Sequence, residues 1–122
     1  MDPEAERRAR AKRMVSDLAR ATTDEEACPP EWTDIGIEVR QRTAKLRESV
    51  EAEADLFAST PDVRVALARR ERMAEGLRRE VAYINAKVRR LNMIAPLPRF
   101  QRPEIDEEEI LRPLYRTRRL TG

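Results

Sequence analysis

The sequence predicts an all-α fold: a long antiparallel helical hairpin with a basic helix before it, followed by an extended proline-rich segment and a short helix. Three observations carry this. Apolar residues recur at three- and four-residue spacing through two long stretches, Trp32 to Phe57 and Val63 to Leu91. Glycines number three in 122 residues and aromatics make up 4%, while 39% of residues are charged, a composition suited to exposed helices rather than to a β-sandwich or an α/β enzyme. The two stretches are separated only by Ala58 to Asp62. A break that short leaves two amphipathic helices little choice but to turn back on each other.

The chain divides into residues 1–29, 30–92 and 93–122. The first segment is a basic helical arm in which Arg7, Arg8, Arg10, Lys12, Arg13 and Arg20 meet only Asp17 between positions 7 and 20. Its apolar residues are few: Met14, Val15 and Leu18. They bury too little to hold a helix alone, so the arm is expected to fray or to fold against a partner. In the second segment Pro29 and Pro30 mark a helix start, proline being tolerated in a first turn, with Thr33 or Asp34 as alternative caps. Trp32, Ile35, Val39, Leu46, Val50, Ala54 and Phe57 share one face. Thr60 is expected to cap the second helix, with Pro61 in its first turn and Asp62 at its positive end. The second stripe runs Val63, Leu67, Arg70, Met73 or Ala74, Leu77, Val81, Ile84, Val88 and Leu91, about four coiled-coil-like heptads interrupted by a basic residue at 70. Each arm spans roughly 40 to 45 Å at 1.5 Å per residue. In the third segment Pro96, Pro98 and Pro103 keep the backbone extended, leaving Ile94, Leu97 and Phe100 to press on the hairpin. Ile105 to Leu111 resumes as a short helix with acids in its first turn, Pro113 limits it, and Arg116, Arg118 and Arg119 form a basic tail.

The charge total, 25 basic against 23 acidic, conceals a strong asymmetry. Residues 30–62 carry four basic and eight acidic groups, and residues 63–92 carry nine basic and three acidic. Opposite net charges on consecutive helices favour folding them side by side, although each exposed pair adds only ~0 to 1 kcal/mol. The absence of histidine removes the usual catalytic triads and His-ligated zinc. A single cysteine, Cys28, cannot form an internal disulfide, and no apolar run is long enough to span a membrane. No cofactor or small-molecule substrate is expected. The acidic cluster Asp106, Glu107, Glu108 and Glu109 reads as a helix cap, because consecutive carboxylates on a helix point in different directions.

Pro30-Glu31-Trp32 opens one long helix; Ile84, Asn85, Val88, Leu91, Asn92, Ile94 and Pro96 close the next; Gln101 and an acidic helix follow. This pattern resembles the conserved domain of the DnaJ homologue subfamily C member twenty-eight family over roughly Pro30 to Leu111. The family's Gly-Lys-Gly-like segment before Pro-Glu-Trp is absent here, and so is a J domain, whose His-Pro-Asp triplet needs a histidine. The resemblance implies a mitochondrial location; without it, the expectation is cytoplasmic.

The residues singled out admit two readings each. Trp32 suits the hairpin core or an interface anchor. Asn85, Asn92 and Gln101 suit recognition of a partner backbone or internal bonding, with Asn92 capping the helix and the other two holding the extended segment. Arg78, Arg79, Arg89, Arg90, Arg116, Arg118 and Arg119, together with the arm's Arg7, Arg8, Arg10, Lys12 and Arg13, are candidate contacts to a protein partner or to an RNA phosphate backbone, or a solvated face with i,i+4 pairs. No aromatics interleave with them, so phosphate contact without base readout is the expected mode. The function expected is a non-catalytic interaction module docking on a larger protein or ribonucleoprotein assembly, as a small subunit of an organellar ribosome or respiratory complex. A transient chaperone-like assembly factor is the alternative.

Overall fold

In a computed structural model of the protein, residues 2–12 and 28–116 are described. Residues 3–12 are helical. The expectations placed on Arg13, Met14, Val15, Leu18, Arg20, Arg118 and Arg119 lie outside the described residues. Two long helices follow, α1 (Pro30–Ser59) and α2 (Val63–Ile94). A 3-10 turn at Pro98–Phe100, a short α3 (Glu107–Leu111) and a second 3-10 turn at Arg112–Tyr115 complete the described chain. Among the described residues there is no strand.

α1 and α2 pack antiparallel. Going up α1, Glu31 meets Arg90, Glu38 meets Lys87 and Tyr83, Arg42 meets Glu80 and Glu53 meets Arg69, so the partners descend α2 as α1 is climbed. Three of these four ion pairs set an acid of α1 against a base of α2, as the segment charges foretell. Pro30 begins α1 with Pro29 before it, and neither Thr33 nor Asp34 serves as the start.

The turn corrects one assignment. Asp62, not Thr60, caps α2, its carboxylate accepting from the backbone N–H of Arg64 at 2.9 Å and of Val65 at 3.4 Å. Thr60 instead closes α1, both its N–H and its hydroxyl donating to the Leu56 carbonyl. A carboxylate at this place both accepts the orphan amides and complements the dipole, which a hydroxyl does less well.

The core joins Leu46 and Val50 of α1, Ala74, Val81, Ile84 and Val88 of α2, and Ile110, Leu111 and Leu114 from the C-terminal segment, with Val39, Leu77 and Ile105 packed at its edge. That segment is a strap laid along one side of the hairpin. Its anchors are two amides seven residues apart on α2. Asn85 donates from Nδ2 to the Ile105 carbonyl at 3.0 Å, and its Oδ1 accepts the Ile105 N–H at 2.7 Å. Asn92 does the same for Arg102, at 2.9 and 2.7 Å. Asn92 is therefore no helix cap: α2 continues to Ile94, and Ala95, extended before Pro96, ends it. Gln101 holds nothing by its exposed side chain; its backbone N–H closes the turn on Pro98.

Two further expectations are revised. The proline-rich stretch is extended only in part, because Pro98 starts a 3-10 turn that aims Phe100 at Trp32 and leaves Leu97 exposed. Near the hairpin turn the buried residue of α2 is Ala66, whereas Val63 and Leu67 stand 49% and 39% exposed. The small Ala66 side chain lets the helices close on each other, and Leu114 of the strap lies beside it, lining a small pocket with Phe57, Thr60 and Ala66.

Gly76 lies on an exposed turn of α2, with open space where a Cβ would stand. Gly76→Ala is expected to raise stability by about 0.5–1 kcal/mol through helix propensity alone, measured as a higher urea midpoint.

Candidate interaction surface

The arginines proposed from sequence are placed on the hairpin and strap with partners of their own. Arg78 donates to the Tyr115 hydroxyl at 2.6 Å. Arg79 pairs with Glu75 one turn away, Arg89 with Glu104 of the strap, Arg90 with Glu31, and Arg116 with Glu51 at 3.8 Å. These contacts are exposed, so a phosphate would compete with carboxylates that each contribute little. In the N-terminal helix Arg8 lies 3.9 Å from Glu4, and Arg7, Arg10 and Lys12 are exposed.

The strap divides the hairpin into a covered side and an open side. On the open side Gln41, Arg42, Lys45, Leu46, Ser49, Leu77 and Glu80 line a groove of about 470 Å³. Beside it lies a polar cluster not singled out from the sequence. Glu38 accepts from the Tyr83 hydroxyl at 2.8 Å and from Arg42 at 3.1 Å, and Lys87 stands 3.8 Å away. Arg42 also reaches Glu80 at 2.9 Å, with its guanidinium 4.2 Å from the centre of the Tyr83 ring. The Tyr83 hydrogen bond, with the charges of Lys87 and Arg42, holds the Glu38 carboxyl below its ordinary value of 4.5. Bonding to Glu80 raises Arg42 above its own. A depressed carboxylate stabilises the fold above its unfolded pKa and ceases to do so as pH falls through the folded value. Thermal stability is therefore expected to drop below pH 4.5, with a shallower drop in Glu38→Gln, read from melting curves across pH. The sequence did carry a signal for half of this cluster, the i,i+4 spacing of Glu38 and Arg42; the partners from α2 required the hairpin register.

Arg70, the residue that interrupts the second stripe, has a similar explanation. Its guanidinium lies 5.1 Å from the Phe57 ring and 5.0 Å from the Tyr115 ring, so it joins α1, α2 and the strap by cation–π contact. Its Nε is buried and approaches only Glu71, at 3.7 Å.

At the opposite end of the hairpin Trp32 is half-buried. Phe100 meets it edge-on at 5.6 Å and the Arg102 guanidinium lies 5.7 Å from its ring, while its indole N–H is buried without an acceptor. Trp32 thus seats the strap. Pro96 is exposed there, as are Met93, at 77%, and Leu97. At the hairpin tip Leu56, Val63, Val65 and Leu67 are exposed. Asp106 caps α3 by accepting from Glu108 and Glu109, and no cluster of potential metal ligands occurs among the described residues. No helix among the described residues is long and apolar enough to cross a membrane.

The sequence matches no family model, no curated protein and no solved structure.

Apolar side chains thus stand exposed at both ends of the braced helix pair, with cations along its flanks.

Proposed function

We propose that the chain is a non-catalytic helical interaction module that docks on a larger protein or ribonucleoprotein assembly. The observation that carries this reading is the exposure of large apolar side chains toward the two ends of a hairpin that the strap covers on one side: Leu56, Val63, Val65 and Leu67 at the tip, Met93 and Leu97 at the base. Apolar groups gathered this way recover their hydration cost when a partner covers them. Arg7, Arg10 and Lys12, exposed on the N-terminal helix, add attraction to phosphates or carboxylates that weakens with salt. The pattern of Trp32, Asn85, Asn92, Pro96 and Gln101 supports a mitochondrial host by resemblance, an organellar ribosome or respiratory complex being the kind of assembly that takes small arginine-rich helical subunits.

Native purification followed by mass spectrometry tests the proposal. A subunit is expected to co-purify one to one through a high-salt gradient, and substoichiometric recovery would instead favour a transient chaperone-like assembly factor. A chain that stays monomeric and binds nothing at physiological salt refutes both. Replacing Arg7, Arg8, Arg10 and Arg13 by Glu is expected to weaken co-sedimentation at least tenfold, about 1.4 kcal/mol. Unchanged co-sedimentation would remove the basic segment from the interface.

A further inference from the structure

Near the base of the hairpin, beyond Trp32, the strap is bonded to α2 and leaves a gap beside α1. Between Arg102 and Ile105 its described hydrogen bonds all run to α2: Asn92 holds Arg102, Arg89 holds Glu104 and Asn85 holds Ile105. The gap is a recess of about 240 Å³ lined by the apolar side chains of Val39, Val88, Leu91 and Ile105. Gly36 forms part of its wall. A Cβ there would meet only Leu91 Cδ1, at 3.8 Å, an ordinary contact, so packing against α2 does not call for glycine, and helices disfavour it. What the missing side chain provides is room in the recess.

The residues lining the recess include two cations, Arg40 and Arg102, and no acid. Arg40 is exposed, and its neighbours one turn away on α1 are Gly36, Ile37, Thr43 and Ala44, none of which offers a carboxylate. Among the described residues its guanidinium enters no ion pair. Arg102 rests its guanidinium on the ring of Trp32 and gives Asn92 only its backbone. The acids near in sequence are turned elsewhere: Glu104 to Arg89, Glu31 to Arg90, Asp106 to the start of α3, and Glu38 to Tyr83 and Arg42 on the open side. At 100° per residue, positions 36, 40, 43 and 47 of α1 fall within about 60° of one another. Arg47, also exposed, thus adds a third cation two turns along the same face.

Resting on the interaction-module reading, we infer that the recess between Gly36, Arg40 and Arg102 receives an apolar side chain from an acidic segment of a partner protein. Val39, Val88, Leu91 and Ile105 cover that side chain, and carboxylates beside it meet the guanidinium groups of Arg40 and Arg102. The volume suits one large side chain and lies below the ~300 Å³ at which small-molecule sites begin, which favours a protein anchor over a free ligand. Burial of the anchor supplies affinity, and the cations select an acidic segment over a basic one.

The test uses the full chain and two synthetic amphipathic peptides of equal length, one of leucine and glutamate, the other of leucine and arginine. Fluorescence anisotropy reads affinity and hydrogen exchange reads the footprint. The leucine–glutamate peptide is expected to bind at least tenfold more tightly than the arginine peptide and to protect residues 36–43 and 102–105. Arg40→Glu, at an exposed position, and Gly36→Leu, which fills the recess, are each expected to weaken it at least tenfold while circular dichroism shows the helices kept. Where Gly36→Leu unfolds the chain, Arg40→Glu decides. Equal affinity for both peptides, a footprint elsewhere, or full affinity in Arg40→Glu overturns the inference. So does a concentration-dependent dimer lost in Gly36→Leu, which assigns the recess to a second copy. Loss of protection at 102–105 in the free chain when Asp24, Glu25 and Glu26 are replaced by their amides also overturns it, assigning the recess to the chain's own acids. If Gly36→Leu leaves native co-sedimentation intact while the arginine replacement abolishes it, the recess inference falls and the module reading stands. A chain that co-sediments with nothing removes both.

Discussion

Ile84→Ala is expected to destabilise the protein by about 2–5 kcal/mol, enough to bring a domain of this size close to unfolding. Ile84 is 0% exposed and sits where α1, α2 and the strap meet in one core. The loss combines removed transfer energy with the cavity left behind, and neighbours such as Val81 and Val88 belong to the same 32-residue helix, which resists collapsing inward around one site. Urea unfolding followed by circular dichroism measures it. A loss below about 1 kcal/mol would mean that the three elements do not share a core at this residue.

Asn85→Ala is expected to cost about 2–3 kcal/mol and to release the strap before the hairpin opens. Two hydrogen bonds disappear at once, and the half-buried Ile105 N–H and carbonyl lose their only side-chain partner. Asn92→Asp is the informative companion. A carboxylate still accepts from the Arg102 N–H but repels the Arg102 carbonyl to which the amide donates, so it keeps one bond and reverses the other. Hydrogen exchange at Ile105 and Arg102 separates the two effects. Equal protection in the wild type and both variants would show that the strap is held by Ile110, Leu111 and Leu114 alone.

These residues also show where the sequence is legible. The two stripes and the break at Ala58 to Asp62 yield the hairpin because periodicity and a proline are local signals; of the starts the sequence offers, the helix takes Pro30, and it runs two residues into the expected break, to Ser59. The segment charges announce the cross-helix pairs, yet which acid meets which base depends on the register, and Arg42 turns out to face an acid of α2 rather than a base. Arg70 looks like a flaw in the stripe because its aromatic partners, Phe57 and Tyr115, come from other elements. Asn92 looks like a cap because it lies near a helix end; its bonding to Arg102 is visible only once the strap folds back. The arginine candidates are the least legible: an arginine written beside other arginines looks free, and Arg89, Arg90 and Arg116 are each matched by an acid distant in sequence.

The two asparagine anchors have a kinetic consequence. α1 and α2 are neighbours in the chain and close over a three-residue turn, so their pairing involves short loops and rapid nucleation. The strap must then find Asn92 and Asn85 on a helix already formed, from 10 and 20 residues farther along the chain. Assembly is thereby ordered, hairpin first and strap second, and its reversal gives a partly open species in which α1 and α2 stay zipped while Val81, Ile84 and Val88 lose their cover. During synthesis the same order leaves that seam bare for the time needed to make residues 95–116, roughly one to four seconds at ordinary elongation rates.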